Sequence, residues 1–202
     1  MKTGAIVLAA GLSSRMGWFK PLLKIGPLTA AQHIITNFQL AGVEPIVFVT
    51  GNQADLLESH LSDTGVICLR NEEYAVTQML DSAKIGLRYL KTQCDRILLT
   101  PVDIPLFSCE TVQRLMESGA PLAAPIYQGK KGHPLLLSQK LIPFLETYDG
   151  PGGLGEALKK STCAIFPVEV DDDSILTDMD TKEDYSKMLL KYQVHRNKQG
   201  AP

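Results

Sequence analysis

Much that would reveal a function at a glance is missing from this chain of 202 residues. No stretch approaches the roughly 18 consecutive apolar residues of a membrane span. Charge is almost balanced, with 20 Lys and Arg against 22 Asp and Glu, so no overall field draws the chain to nucleic acid or an anionic membrane. A polyphosphate ligand would have to be met by a local cluster of cations. Cysteine is scarce: residues 68, 94, 109 and 163 form no C-x-x-C pair and have no histidine at ligand spacing. That argues against a structural zinc site and leaves buried free thiols in a reducing compartment. The first apolar run is short and breaks at Gly11. It is expected to be a strand and not a signal peptide, and the protein to be soluble and cytoplasmic. No repeat, low-complexity block or linker divides the chain.

What is present is an alternation of strand-like and helix-like segments. Apolar runs at 5–10, 45–51, 65–71, 96–106, 121–127, 133–138 and 163–170 read as strands. Between them, 29–42, 53–62, 77–93 and 108–119 carry apolar residues at helical spacing, with Ser108 as an N-cap and Gly42 and Gly119 as stops. Residues 144–161 read as helix, Gly/Pro-rich loop, helix. Residues 180–193 read as a last helix started by a Thr181/Asp184 capping pair. The polar residues 194–202 are expected to be a frayed tail, and the acidic run at 171–173 a solvated turn. The alternation predicts one α/β domain over 1–193, with a mostly parallel central sheet covered by helices on both faces. Sites on such sheets lie at the carboxyl ends of strands, which directs attention to the turns after the first and fourth strands.

The first of these turns lies in LAAGLSSRMGWFKPLL, residues 8–23. Gly11 can adopt conformations closed to other residues and lets backbone N–H groups approach a ligand. Ser13 and Ser14 add hydroxyl donors. Arg15 can grip two phosphate oxygens, and Lys20 supplies a compact point charge. The turn has neither the dinucleotide fingerprint nor the P-loop spacing, because Gly11 and Gly17 are six apart and Lys20 does not follow Gly17 directly. A plain solvated loop with two surface cations remains the alternative. The second turn holds Asp103 in LLTPVDIPL, between Pro101 and Pro105. A carboxylate there can hold Mg²⁺, which takes one or two carboxylates plus phosphate oxygens and water. It could equally cap the next helix.

The first segment resembles the signature L-A-[AG]-G-x-S-x-R-M-G-x-x-K of the MobA-like nucleotidyltransferases. These attach a nucleotide to the molybdenum cofactor and belong to the wider sugar-nucleotide pyrophosphorylase group. The resemblance implies a Rossmann-like three-layer nucleotidyltransferase fold. It also implies nucleotide contacts from Leu8, Ala9, Ala10, Gly11, Ser13, Ser14, Arg15, Met16, Gly17, Lys20, Ser82 and Pro101. Arg15 and Lys20 would contact phosphates and, with Asp103, serve catalysis. VDIP resembles the family's D-[MIV]-P, whose aspartate binds the metal. The segment at 176–185 resembles its D-[IM]-D-T-P-E-D, which points to Asp178 as the second Mg²⁺ ligand, with Asp180 as an alternative. Gly132-His133-Pro134 resembles the G-H-P segment that faces the acceptor. Asn71, Met79 and Ser82 match a looser family segment in which Gln78 stands where glycine is usual.

The L-A-A-G form resembles the cytidylyltransferase branch and implies CTP, where L-A-G-G would imply GTP. The implied acceptor is molybdopterin or the molybdenum cofactor, with a molybdenum enzyme as its eventual recipient. One segment departs from the family. GPGGLGEAL at 150–158 lacks the aspartate and arginine of G-D-x-G-A-R, Pro151 and Gly155 standing in their places. That keeps open a sugar phosphate or another phosphorylated acceptor, and a non-catalytic protein that binds nucleotide and delivers cofactor.

Overall fold

A computed structural model describes residues 1–12 and 16–198; for 195–198 the backbone alone is described. Ten strands appear in chain order: β1 Thr3–Leu8, β2 Lys24–Ile25, β3 Leu28–Thr29, β4 Ile46–Thr50, β5 Ile67–Arg70, β6 Arg96–Pro101, β7 Leu122–Tyr127, β8 Lys130–Lys131, β9 Leu135–Ser138 and β10 Phe166–Glu169. Seven α-helices alternate with them: α1 Ala30–Leu40, α2 Ala54–Leu61, α3 Met79–Leu90, α4 Cys109–Glu117, α5 Ile142–Thr147, α6 Gly153–Lys160 and α7 Lys182–Lys198. None of these helices is long and apolar enough to cross a membrane.

The main sheet runs β10-β7-β9-β6-β1-β4-β5, with β8 paired to β7. β1 is central and lies parallel to both β4 and β6. All six of its residues are buried, which explains why it reads as continuously apolar. Its side chains alternate between two cores. Ala5 and Val7 face Ile34, Phe38 and Leu57 of α1 and α2, with Val112 and Leu115 of α4. Ile6 and Leu8 face Ala83, Leu87 and Leu90 of α3, with Leu145 and Leu154 of α5 and α6. Helix α3 comes so close to β1 that a Cβ on Gly86 would lie 2.9 Å from three atoms of Ile6, so the packing there needs glycine. The sheet is thus mostly parallel and covered on both faces, as expected. The exceptions are the short β8, antiparallel to β7, and β9, antiparallel to β6 and β7, because the β8 turn returns the chain beside the strand it has just left.

Several elements differ from expectation. β1 begins and ends two residues earlier than the apolar run suggests. Ala9 and Ala10 have left the strand but stay tied to its neighbour, through Ala9 N–H to Val49 C=O at 2.9 Å and Asn52 N–H to Ala10 C=O at 3.3 Å. Helix α7 continues to Lys198, past the expected end at 193. The acidic run is not merely solvated: Asp172 accepts from Ser108 N–H at 2.8 Å and the Thr111 hydroxyl at 2.8 Å, tying its turn to the start of α4. Of the four free thiols, only Cys94 is buried; Cys68, Cys109 and Cys163 are half-buried. The β2–β3 hairpin was not expected at all. It packs Ile25 with Ala30, Met179 and Met188, which seats α7 against the segment after Lys20.

Candidate active site

The chain order around β1 creates the site. From β1 the connections step outward to β4 and β5, then α3 carries the chain back across to β6 on the other side. The crevice between the carboxyl ends of β1 and β6 is therefore a topological switch point. Leu8 and Pro101 are register partners there, and Val102 N–H donates to Leu8 C=O at 3.0 Å. Both turns singled out from the sequence leave the sheet at this level.

Between them opens a cleft of about 310 Å³. One wall is Leu8, Ala9, Ala10, Gly11, Met16 and Lys20, and the other is Pro101, Val102 and Asp103. Tyr74, Thr77, Gln78, Met79 and Ser82, around the start of α3, close a third side, and Asp180 completes the ring. Ser13, Ser14 and Arg15 lie outside the described residues. Gly17, in a left-handed turn, is not part of the lining.

Lys20 opens a short 3-10 turn, Lys20–Leu22, whose start is fixed by Pro21. Its side chain is largely buried and its ammonium bridges two carboxylates, Asp103 at 3.0 Å and Asp180 at 2.6 Å. Burial pulls the Lys20 pKa down, but the hydrogen bond to Asp180 and the charge of Asp103 outweigh it and leave it above the ordinary lysine value. Asp178 is exposed and does not line the cleft; Asp180 does. Partial desolvation raises the Asp178 pKa, followed by the carboxylates of Asp180, Asp103 and Asp184. These acidic groups are held in place by the start of α7, where Thr181 N–H donates to Asp184 at 3.1 Å and Asp184 N–H to the Thr181 hydroxyl at 3.2 Å.

The same helix start touches the nucleotide-type loop. The Lys182 ammonium lies 4.8 Å from the centre of the Trp18 ring, and Tyr185 meets that ring edge-on at 6.0 Å. The Tyr185 hydroxyl donates to Lys24 C=O at 2.5 Å.

The G-H-P segment sits elsewhere in relation to the cleft. None of Gly132, His133 and Pro134 is in the lining. A Cβ on Gly132 would lie 2.4 Å from the Ile175 carbonyl oxygen, so the segment is pressed onto the 173–176 turn. The His133 imidazole is largely withdrawn from solvent. Burial lowers its pKa, while the Leu99 backbone and Asp103 pull the other way, and its Nδ1 is buried without a hydrogen-bond partner among the described residues. His33 and His60 have structural roles: His33 meets Ile25 C=O at 2.7 Å and His60 the Thr29 hydroxyl at 3.2 Å.

The divergent 150–158 segment begins α6 close to the cleft, where a Cβ on Gly153 would lie 3.2 Å from Oε1 of Gln78. GPGGLG also spells G-x-G-x-x-G, but it follows a helix and not a strand, so the context of a dinucleotide fingerprint is absent. Tyr74, Thr77 and Val102 were not anticipated. Tyr74 lies in a turn-rich stretch with no periodicity to mark it, and Thr77 stands in the bend just before α3 begins, where a helix was expected. Val102 was readable as the residue preceding Asp103.

A doubly covered, mostly parallel sheet with paired phosphate-type and carboxylate turns at its switch point is the α/β nucleotidyltransferase fold. The chain belongs to the MobA-like NTP transferase domain family, whose model matches residues 5–164. It is similar to the molybdenum cofactor cytidylyltransferase of Escherichia coli strain K12, with 29% identity over 93% of this chain and 95% of that protein. Among solved structures it resembles the nucleotidyl transferase Mth528 from Methanothermobacter thermautotroptrophicus, with TM-score 0.84, 23% identity, and 96% and 99% of the two chains covered. It also resembles Rv0371c from Mycobacterium tuberculosis H37Rv, with TM-score 0.80, 24% identity, and 94% and 98% covered. The protein is thus a nucleotidyltransferase of the MobA-like family.

Proposed function

We propose that the protein is a Mg²⁺-dependent cytidylyltransferase that moves CMP from CTP to the phosphate of molybdopterin or its molybdenum form, with release of pyrophosphate, in the cytoplasm. The observation that carries this reading is the Lys20 ammonium set between Asp103 and Asp180 at the switch point. The likeness to the E. coli cytidylyltransferase supports the acceptor and the base.

The acceptor phosphate is already an anion at neutral pH, so no general base is needed. Catalysis then consists of alignment and neutralisation of charge. The turn at Ala10 and Gly11 brings backbone N–H groups to the triphosphate, and Lys20 follows the negative charge that develops on the departing pyrophosphate. Arg15 has the same role in this reading.

The donor set fits a hard divalent cation. Asp103, Asp178 and Asp180 would supply carboxylate oxygens, and the Asp178 pKa, raised first by desolvation and then by the neighbouring carboxylates, reflects a concentration of negative charge that a cation would relieve. The described residues hold no ready cluster of three His, Cys, Asp or Glu. Mg²⁺ needs none, since it takes one or two carboxylates and completes its shell with phosphate oxygens and water. When bound it supplies Lewis-acid polarisation of the phosphate oxygens.

A second reading keeps the chemistry and changes the acceptor to a sugar phosphate or another phosphorylated alcohol. The α6 start beside Gln78, without the family's aspartate and arginine, favours it. Pyrophosphate release with Mg²⁺ and molybdopterin, comparing CTP, GTP, ATP and UTP, tests both. Release with CTP alone is expected. Release with GTP would reassign the base, and release only with other phosphorylated acceptors would favour the second reading. Nucleotide binding with no release under any acceptor would make the protein a cofactor-delivery module.

A further inference from the structure

One wall of the cleft holds a polar network that the chemistry above leaves unused. Asn71 follows β5 and is 5% exposed, with its backbone N–H on the Thr50 carbonyl at 2.8 Å. The orientation of its side-chain amide is fixed by its surroundings. The backbone N–H of Glu73, which can only donate, lies 3.1 Å from Oδ1. Nδ2 must therefore face the other way, and it gives its protons to the Thr77 hydroxyl at 2.8 Å and the Ser82 hydroxyl at 3.0 Å. Thr77 passes its own proton to the Glu73 carbonyl at 2.9 Å. Ser82 is 6% exposed and lines the cleft. Its oxygen accepts from Asn71, and its own proton has no acceptor among the described residues. A buried hydroxyl proton without a partner is costly, and the cleft is the direction left to it.

We infer that Asn71 is a positioning residue that sets the hydrogen-bond polarity of this wall, making Ser82 a dedicated donor to an acceptor atom of the bound nucleotide. The inference rests on reading the cleft as the nucleotide site. Exchanging Asn71 for aspartate keeps the shape and turns the two donors into acceptors. Ser82 then turns its proton toward the new carboxylate and presents lone pairs to the ligand.

The test is calorimetric titration of CTP with Mg²⁺, without acceptor, into wild type, Ser82→Ala, Asn71→Asp and the double variant, with thermal melts to establish folding. Ser82→Ala is expected to weaken binding about 5- to 10-fold, and Asn71→Asp about 10- to 100-fold. In the Ser82→Ala background the Asn71→Asp loss should shrink to under about threefold, because the two residues act as one unit. A charge effect or a general loosening would cost the same factor in both backgrounds, and that result overturns the inference. Wild-type affinity in Ser82→Ala overturns it too, even where Asn71→Asp fails to fold. A wild-type protein that binds no nucleotide would remove the reading of the cleft itself, whereas tight wild-type binding with insensitive variants would remove only the roles of Asn71 and Ser82.

Discussion

Among the described residues, two places hold a cation between two carboxylates, and they serve different ends. At the edge of the sheet, Arg70 at the end of β5 pairs with Asp55 at 2.5 Å and with Glu58 through two bonds of 2.6 and 2.8 Å. In the cleft, Lys20 pairs with Asp103 at 3.0 Å and Asp180 at 2.6 Å. The edge cluster joins residues 12 and 15 positions apart, on α2 and the strand that follows it, and it lies in solvent. The cleft cluster joins residues 83 and 160 positions apart and is partly buried, the Lys20 side chain most of all. Exposed pairs are screened and contribute little, and a planar guanidinium fork suits a fixed scaffold contact. A buried ammonium on a flexible stem costs desolvation and can exchange partners. The fold bears that cost at the switch point, where a polyphosphate would draw the ammonium away from its carboxylates.

The largest effect should follow from the cleft. Lys20→Ala is expected to lower turnover by about 10² to 10³ with the fold intact by circular dichroism, as for loss of a charged transition-state contact. A loss under about tenfold would erase the distinction between the two clusters. Next, Asp103→Asn should weaken apparent Mg²⁺ affinity by more than about tenfold in activity titrations, since even indirect partners of a metal are worth that much. An unchanged Mg²⁺ dependence would take Asp103 out of the site. The smallest effect belongs to the edge. Arg70→Ala should leave turnover unchanged and lower thermal stability slightly, and that difference should fade in high salt. It should also fade in acid. The hydrogen bond from Arg70 holds the Glu58 pKa below the ordinary glutamate value, so the pair stabilises the fold above that value and ceases to do so as pH falls through the lowered one. Melting curves of both proteins across that range would show it; a constant difference would mean that Arg70 acts through packing.

The same contrast separates what the sequence made legible from what it did not. β1, β4 and β6 were readable because both of their faces are covered, which leaves an uninterrupted apolar run. The walls of the cleft were readable because strand ends mark them: Gly11 after β1 and Asp103 after β6. The second partner of Lys20, Asp180, was readable only as an alternative to Asp178. Asp178 and Asp180 are the same residue type two positions apart, and which of them lines the cleft depends on the backbone path into α7. β2 and β3, at two residues each, are too short to show any period, so the seat of α7 could not be foreseen. The Asn71 network was hidden for a related reason. Its orientation depends on a single backbone N–H, which residue types do not disclose.

The contact between Trp18 and the start of α7 has an optical consequence. Trp18 is the only tryptophan in the chain, is 42% exposed, and has an ammonium over its ring. Its indole emission depends on how close that charge stays and how much water reaches the ring. The ring sits between the Gly11 turn and Lys20 in sequence, and it leans on the helix that carries the acidic segment. Any rearrangement of this segment against the helix therefore changes the colour and intensity of a single fluorophore, and the protein carries its own unlabelled probe of that contact.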